Sequence, residues 1–200
     1  MIRAMLVIAV PLFLFACAAG SPVPEDRFYQ LEPVSPEQVS SSPVLQGGLE
    51  IDYTEADPLR SGRAVLYSES AQPLQLQRYH YAYWVDQPPR LVHSQLVQYL
   101  RASGIADRVD DGGQRNTSGY RLKTQLLKFE QLRGGPVPEA VVELEASLER
   151  LPAGPVLWTS VYSQQQASGG DHMHATAEAM HTALDHVLEA LLHDLSATAE

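Results

Sequence analysis

The chain has 200 residues, with 14 Lys and Arg against 24 Asp and Glu, a formal net charge of −10. That balance argues against nucleic acid as a partner and against binding anionic lipid headgroups through bulk charge. One cysteine, Cys17, leaves no pair for an intrachain disulfide.

The first element is an apolar run from Ala4 to Ala19, interrupted by Pro11 and preceded by Arg3. It is shorter than the roughly 20 residues a helix needs to cross a bilayer. A basic start, an h-region at Met5 to Phe15 and small residues after it read as a secretory signal. Leu14-Phe15-Ala16-Cys17 resembles a bacterial lipobox, in which the thiol carries a diacylglycerol and the chain is cut before the cysteine. Two or three acyl chains anchor firmly, whereas one short chain binds marginally. The alternative is an ordinary secreted protein with an unpaired thiol at Cys17. Ala18, in place of Asp after the cysteine, resembles the sorting pattern for the Gram-negative outer membrane. Residues 1–16 are therefore expected to be a lipoprotein signal peptide. Their removal takes Arg3 and no acid, leaving 13 bases and 24 acids, a net charge of −11.

Residues 17–27 read as the lipidated N-terminus and tether, and residues 28–200 as one domain. Ten flexible residues have a reach of about 16–19 Å. "FYQL" is a short apolar segment and "EPVSPEQVSSSP" a loop. Strands are expected within 44–53, at 63–70 and at 74–84. In 74–84, Leu74, Leu76, Ala82 and Trp84 are expected on one face. Gln75, Gln77, Tyr79, Tyr81 and Tyr83 take the other. Pro88 and Pro89 open a helix that Gly104 closes, with Val92, Leu96, Tyr99 and Leu100 on its apolar stripe. "DDGGQRNTSG" reads as a turn, and the N-x-T triplet at Asn116 needs no glycan in a bacterial lipoprotein. Strands follow at 120–132, 139–150 and 156–167. The middle one alternates most clearly, with Val142, Leu144, Ala146 and Leu148 inward and Glu143, Glu145, Ser147 and Glu149 outward. A last helix is expected to start at an Asp171 cap and to bury Met173, Met180, Leu184, Val187, Leu188, Leu191 and Leu195. These segments predict an α+β domain. Its sheet would be mixed, mostly antiparallel and of about 5–7 strands, with two main helices at about 89–103 and 172–196 packed on it.

Two constellations could carry a function. His174, Glu178, His181 and Asp185 fall within about a 60° stripe of the last helix. Imidazole and carboxylate at this spacing could hold Zn²⁺ or Cu²⁺, with His174, Glu178 and His181 the weak candidate set. A polar helix flank explains the same residues, and no metal site is the expectation. Tyr79, Tyr81 and Tyr83 could form a partner interface or a helix-facing sheet surface. No nucleophile elbow, phosphate loop or catalytic residue is present in the sequence pattern, which favours a structural or adaptor protein over an enzyme.

A lipobox is followed by "FYQL", "LEIDY" and "RAVLYSES", then "YHYAYWVDQPPRLVHSQLVQYLRASG", "LKTQLLKFEQL" and the Glu143-to-Glu149 strand. This order of segments resembles the ABC-type transport auxiliary lipoprotein family, the PqiC-like lipoproteins. The resemblance implies a non-catalytic component of an MCE (mammalian-cell-entry) lipid-transport system. It would be held in the outer membrane through Cys17, facing the periplasm, and would dock the distal end of an MCE assembly. No cofactor is implied beyond the covalent lipid on Cys17. MCE proteins form rings, so a homo-oligomer also fits. Two other readings stay open: a periplasmic metal-binding lipoprotein, and an assembly lipoprotein of another envelope machine such as a secretin or a lipopolysaccharide exporter.

Overall fold

The computed structural model describes residues 24–112 and 118–198. The expected signal peptide, Cys17 and Asn116 lie outside the described residues. The elements in chain order are β1 (Arg27–Tyr29), β2 (Leu49–Ile51), β3 (Glu55–Ala56), β4 (Ala64–Glu69), β5 (Gln72–Trp84) and α1 (Pro88–Ser103). They continue with β6 (Val109–Asp111), β7 (Tyr120–Arg133), β8 (Glu139–Arg150), β9 (Val156–Ala167) and α2 (Met173–Ala197).

β7 is the spine of one sheet. One of its edges pairs antiparallel with β8 along its length, and β8 pairs antiparallel with β9. The other edge is shared, all in parallel, by β2 at Tyr120–Leu122, β3 at Gln125–Leu126 and β4 at Glu130–Arg133. β4 continues antiparallel into β5, β5 takes β1 in parallel, and β2 takes β6 in parallel. The long ladders are thus antiparallel and the short ones mostly parallel. The sheet has nine strands, more than the sequence pattern indicates, because β1, β3 and β6 are too short for alternation to register.

Both helices cover the same sheet face. The inward row of β8 (Val142, Leu144, Ala146, Leu148) is essentially fully buried and meets Met180, Leu184, Val187, Leu188 and Leu191 of α2 in one core with Trp84, Leu96 and Leu100. Each fully buried Leu or Val contributes about 1.5–3 kcal/mol relative to exposure. Pro88 and Pro89 occupy the first turn of α1 as expected, and Gly104 ends the helix at φ 66°. A Cβ at Gly104 would sit 3.1 Å from the Ser40 carbonyl oxygen, so glycine is needed both for the backbone turn and for the close approach of the 32–43 loop. That loop is tied across α1: the Val34 amide donates to Gln95 Oε1 (3.1 Å) and the Ser40 amide to the Ser103 carbonyl (2.8 Å).

Three sequence expectations are corrected. His172, not Asp171, caps α2: its Nδ1 accepts from the Ala175 amide at 3.1 Å, three residues on, as a capping side chain should. Asp110 and Asp111, the start of the presumed turn, belong with Val109 to a strand recruited by β2. Leu74 does not face inward. It lies near the β4–β5 turn, fully exposed, beyond the part of the sheet that the helices cover.

Candidate functional site

The tyrosine row does not survive as one face. Ala64 pairs with Tyr83 but Leu66 pairs with Arg78, so β5 carries extra residues opposite β4 and its alternation is offset across this bulge. Tyr79 falls on the helix side. Its hydroxyl donates to Gln131 Oε1 (2.5 Å), Gln131 Nε2 donates to the buried Thr176 hydroxyl of α2 (2.5 Å), and its ring packs on Tyr67 at 4.7 Å. Burial pushes the Tyr79 phenol above its ordinary value, against the opposing charge of Arg133. Beyond the bulge Ala82 and Trp84 are buried, so Tyr81 and Tyr83 point the other way. Tyr81 is exposed. Tyr83 lies 5.8 Å from Phe28, and Arg63 sits over the Phe28 ring at 5.4 Å. Tyr79 is therefore a structural residue, while Tyr81 is exposed and Tyr83 half-buried on the other face.

The histidine stripe and Ala177 line a groove between β1 and α2, with Phe28, Tyr29 and Glu32 opposite. His174 Nε2 and Glu178 Oε1 are 3.4 Å apart and both side chains are largely exposed. His181 is half-buried one turn further, its Nδ1 without a hydrogen-bond partner among the described residues. The three line one groove, yet no group of three His, Cys, Asp or Glu among the described residues has the arrangement of a metal site.

A second cleft, of about 740 Å³, was not visible in the sequence pattern. It lies between α1 and the β2–β3 segment. The His93 imidazole, 7% exposed, donates from Nε2 to Asp111 Oδ1 at 2.7 Å, because a carboxylate can only accept. Tyr53, 67% exposed, lies over His93 at 5.0 Å between ring centres. Arg90, Arg101 and Asp86 line the rim. The available signal was His93 itself, a polar residue next to Val92 on the inward stripe of α1. Its partner Asp111 is contributed by β6, which the sequence pattern leaves as a turn.

Among the described residues no helix is long and apolar enough to cross a membrane. Comparison with curated proteins returns no match. The fold is similar to that of the DUF330 protein XCC0632 from Xanthomonas campestris, at 22% identity and a TM-score of 0.75, over 86% of this chain and 96% of that one. It is also similar to a second crystal structure, of an uncharacterised protein, at 14% identity and a TM-score of 0.67, over 86% and all of that chain. A more distant likeness is hypothetical protein CT253 from Chlamydia trachomatis, at 8% identity and a TM-score of 0.51, covering 77% and 98%. These likenesses establish the architecture. The sequence model of the ABC-type transport auxiliary lipoprotein component matches residues 29–191, from the end of β1 to the last turns of α2. A match over essentially the whole described domain means that the chain belongs to this family of auxiliary lipoproteins of ABC-type transport.

Proposed function

We propose that the protein is a non-catalytic outer-membrane lipoprotein, anchored through a lipid on Cys17 and facing the periplasm, that docks the distal end of an MCE assembly in a lipid-transport system. The observation that carries this reading is the extent of the family match. Residues 29–191 comprise nearly every element of the domain, so the auxiliary role belongs to the domain as a unit. The lipobox-like Leu14-Phe15-Ala16-Cys17 supports the anchor, and the covalent lipid is the one non-protein group in the proposal. Anchoring acts by position: it confines the domain near the membrane and raises its effective concentration at the partner.

The cleft at Tyr53 is the docking surface in this proposal. An exposed aromatic ring over a buried imidazole whose carboxylate partner reaches solvent, rimmed by arginines, has the composition of an interface hot spot. The test is a pull-down of the tagged full-length protein from detergent-solubilised envelopes, with mass spectrometry of what copurifies. An MCE-domain protein enriched with wild type and depleted with Tyr53→Ala or Arg90→Glu supports the reading. Secretin or lipopolysaccharide-export components in its place would assign the protein to another envelope machine. A homo-oligomer facing a ring-shaped partner is part of the same proposal, and the mass of the detergent-solubilised lipoprotein in solution tests it.

A further inference from the structure

We propose that the surface formed by Phe28, Tyr81, Tyr83 and Val85, edged by Arg63 and Arg78, rests on the lipid headgroup region of the bilayer in which Cys17 is anchored. The inference rests on the anchor reading and adds an orientation to it. Phe28 is 56% exposed, Tyr81 46% and Val85 43%, an unusual gathering of large apolar groups on one patch of a charged protein. The patch is also set apart by charge. β1 and β5 contain Arg27, Arg78 and His80 and no acid, whereas β8 alone carries four glutamates. The acids nearest in sequence are Glu25 and Asp26 before β1, Glu32 after it and Asp86 directly after Val85, the last paired with Arg90 at 3.4 Å. Aromatic rings and arginines together suit the bilayer interface: the rings enter the zone between headgroups and acyl chains, and the guanidinium groups reach phosphates. Arg63 already lies over Phe28, which leaves its guanidinium beside the ring that would enter.

Chain length selects this surface over the exposed apolar residues of β9. From Cys17 to Phe28 there are eleven residues, which span at most about 36–40 Å when fully extended. A compact domain of this size has a radius of gyration of about 16 Å and a diameter of about 40 Å. A tether no longer than the domain is wide keeps β1 on the membrane side. Val156 and Val161 are just as exposed, but they lie on β9, the last strand at the other end of the sheet order from β1.

Fluorescence quenching by brominated phospholipid tests the contact. The full-length lipoprotein is reconstituted in vesicles of phosphatidylethanolamine and brominated phosphatidylglycerol. Phe28→Trp and Tyr81→Trp are compared with Val161→Trp, and the signal of Trp84 and Trp158 is subtracted using unsubstituted protein. Contact at the headgroup boundary predicts quenching at positions 28 and 81 at least about twofold above that at 161. Two separate reporters keep the test valid if one substitution disturbs folding. Equal quenching at the three positions, or none at 28 and 81 while the protein floats with the vesicles, overturns the proposal. The mass of the N-terminal peptide and the flotation of Cys17→Ser report on the anchor independently. An unlipidated N-terminus removes the anchor, and the orientation falls with it.

Discussion

The two halves of this domain are built by different rules. From Tyr120 onward, each long strand pairs with the next one in sequence, and α2 folds back over the pair it follows. Before that point, three strands of two to six residues divide one edge of β7 among themselves in parallel, and none of the three pairs with its neighbour among those three. In the second half, register follows from alternation and short turns. In the first half it is set by a strand some seventy residues away. Stability should therefore reside mainly in apolar burial in one half and in individual polar fastenings in the other.

The largest effect is expected from emptying the regular half. Leu144, inward on β8 and fully buried, meets α2. Leu144→Ala should cost about 2–5 kcal/mol in urea unfolding, the range for a core Leu truncated to Ala, and should lower the unfolding midpoint globally. In the irregular half the counterpart is Glu130. It sits on the sheet face away from the helices, yet it is buried under the 57–63 loop. It accepts from Arg60 Nη2 at 2.9 Å and from the Ser68 hydroxyl at 3.0 Å, with side-chain exposures of 9% for Glu130 and 18% for Arg60. Glu130→Ala leaves the Arg60 charge partly buried with only Asp57 to pair with. A loss of about 2–3 kcal/mol is expected, discounted from the fully buried case because Arg60 retains some solvent. Hydrogen exchange should quicken first at Ser61 and Gly62, whose amides bond within this loop. Uniform quickening across β7–β9 would refute the division.

The same division explains what could be read from the sequence. β7, β8, β9 and both helices lie where periodicity and the Pro-Pro and Gly punctuation place them, because their partners are neighbours in sequence or the whole apolar face is long enough to register. β3, with two residues, has no period to detect. The Tyr79–Tyr83 row misleads because a bulge offsets alternation in mid-strand, and a bulge carries no local mark in "RYHYAYW". Nothing around Glu130 shows that Arg60 lies across from it. Likewise, His93 looks like one more polar residue of α1 until β6 brings Asp111 to it. The candidate cleft depends on such long-range meetings, so it had no sequence signature beyond a histidine on an apolar stripe.

The seam between the halves can be tested at Gln131. It is 1% exposed, accepts from Tyr79 of β5 and donates to Thr176 of α2, so it joins the irregular strands to the regular half. Gln131→Leu keeps the volume but strands two hydroxyls, at an expected cost of about 1–3 kcal/mol. Tyr79→Phe in the same background should recover part of that loss, because the phenol no longer lacks an acceptor. Failure to recover any stability would mean that the Tyr79 hydroxyl finds another partner.

The smallest effects come from two carboxyls five residues apart in the irregular half, and they should have opposite signs. For Asp57, burial opposes ionisation, but the Arg60 amide and guanidinium and the Leu59 amide outweigh it and hold the carboxyl below its ordinary 3.8. Between that lowered value and 3.8 the unfolded chain binds more protons. The contribution of Asp57 is therefore complete above 3.8 and is lost as pH falls through the folded value. For Asp52, burial dominates, Arg121 only partly offsets it, Glu50 adds to it, and the carboxyl is held above 3.8. Here the folded chain binds more protons, and stability falls as pH rises through the window above 3.8. Urea midpoints at about pH 6 and about pH 3 separate the two cases. Asp57→Asn should be the less stable variant at the higher pH and approach wild type at the lower. Asp52→Asn should gain relative to wild type as the pH is raised. If both variants follow the same trend, the 57–63 loop does not hold Asp57 against Arg60 in solution, and the polar fastening assigned to this half of the sheet loses its first member.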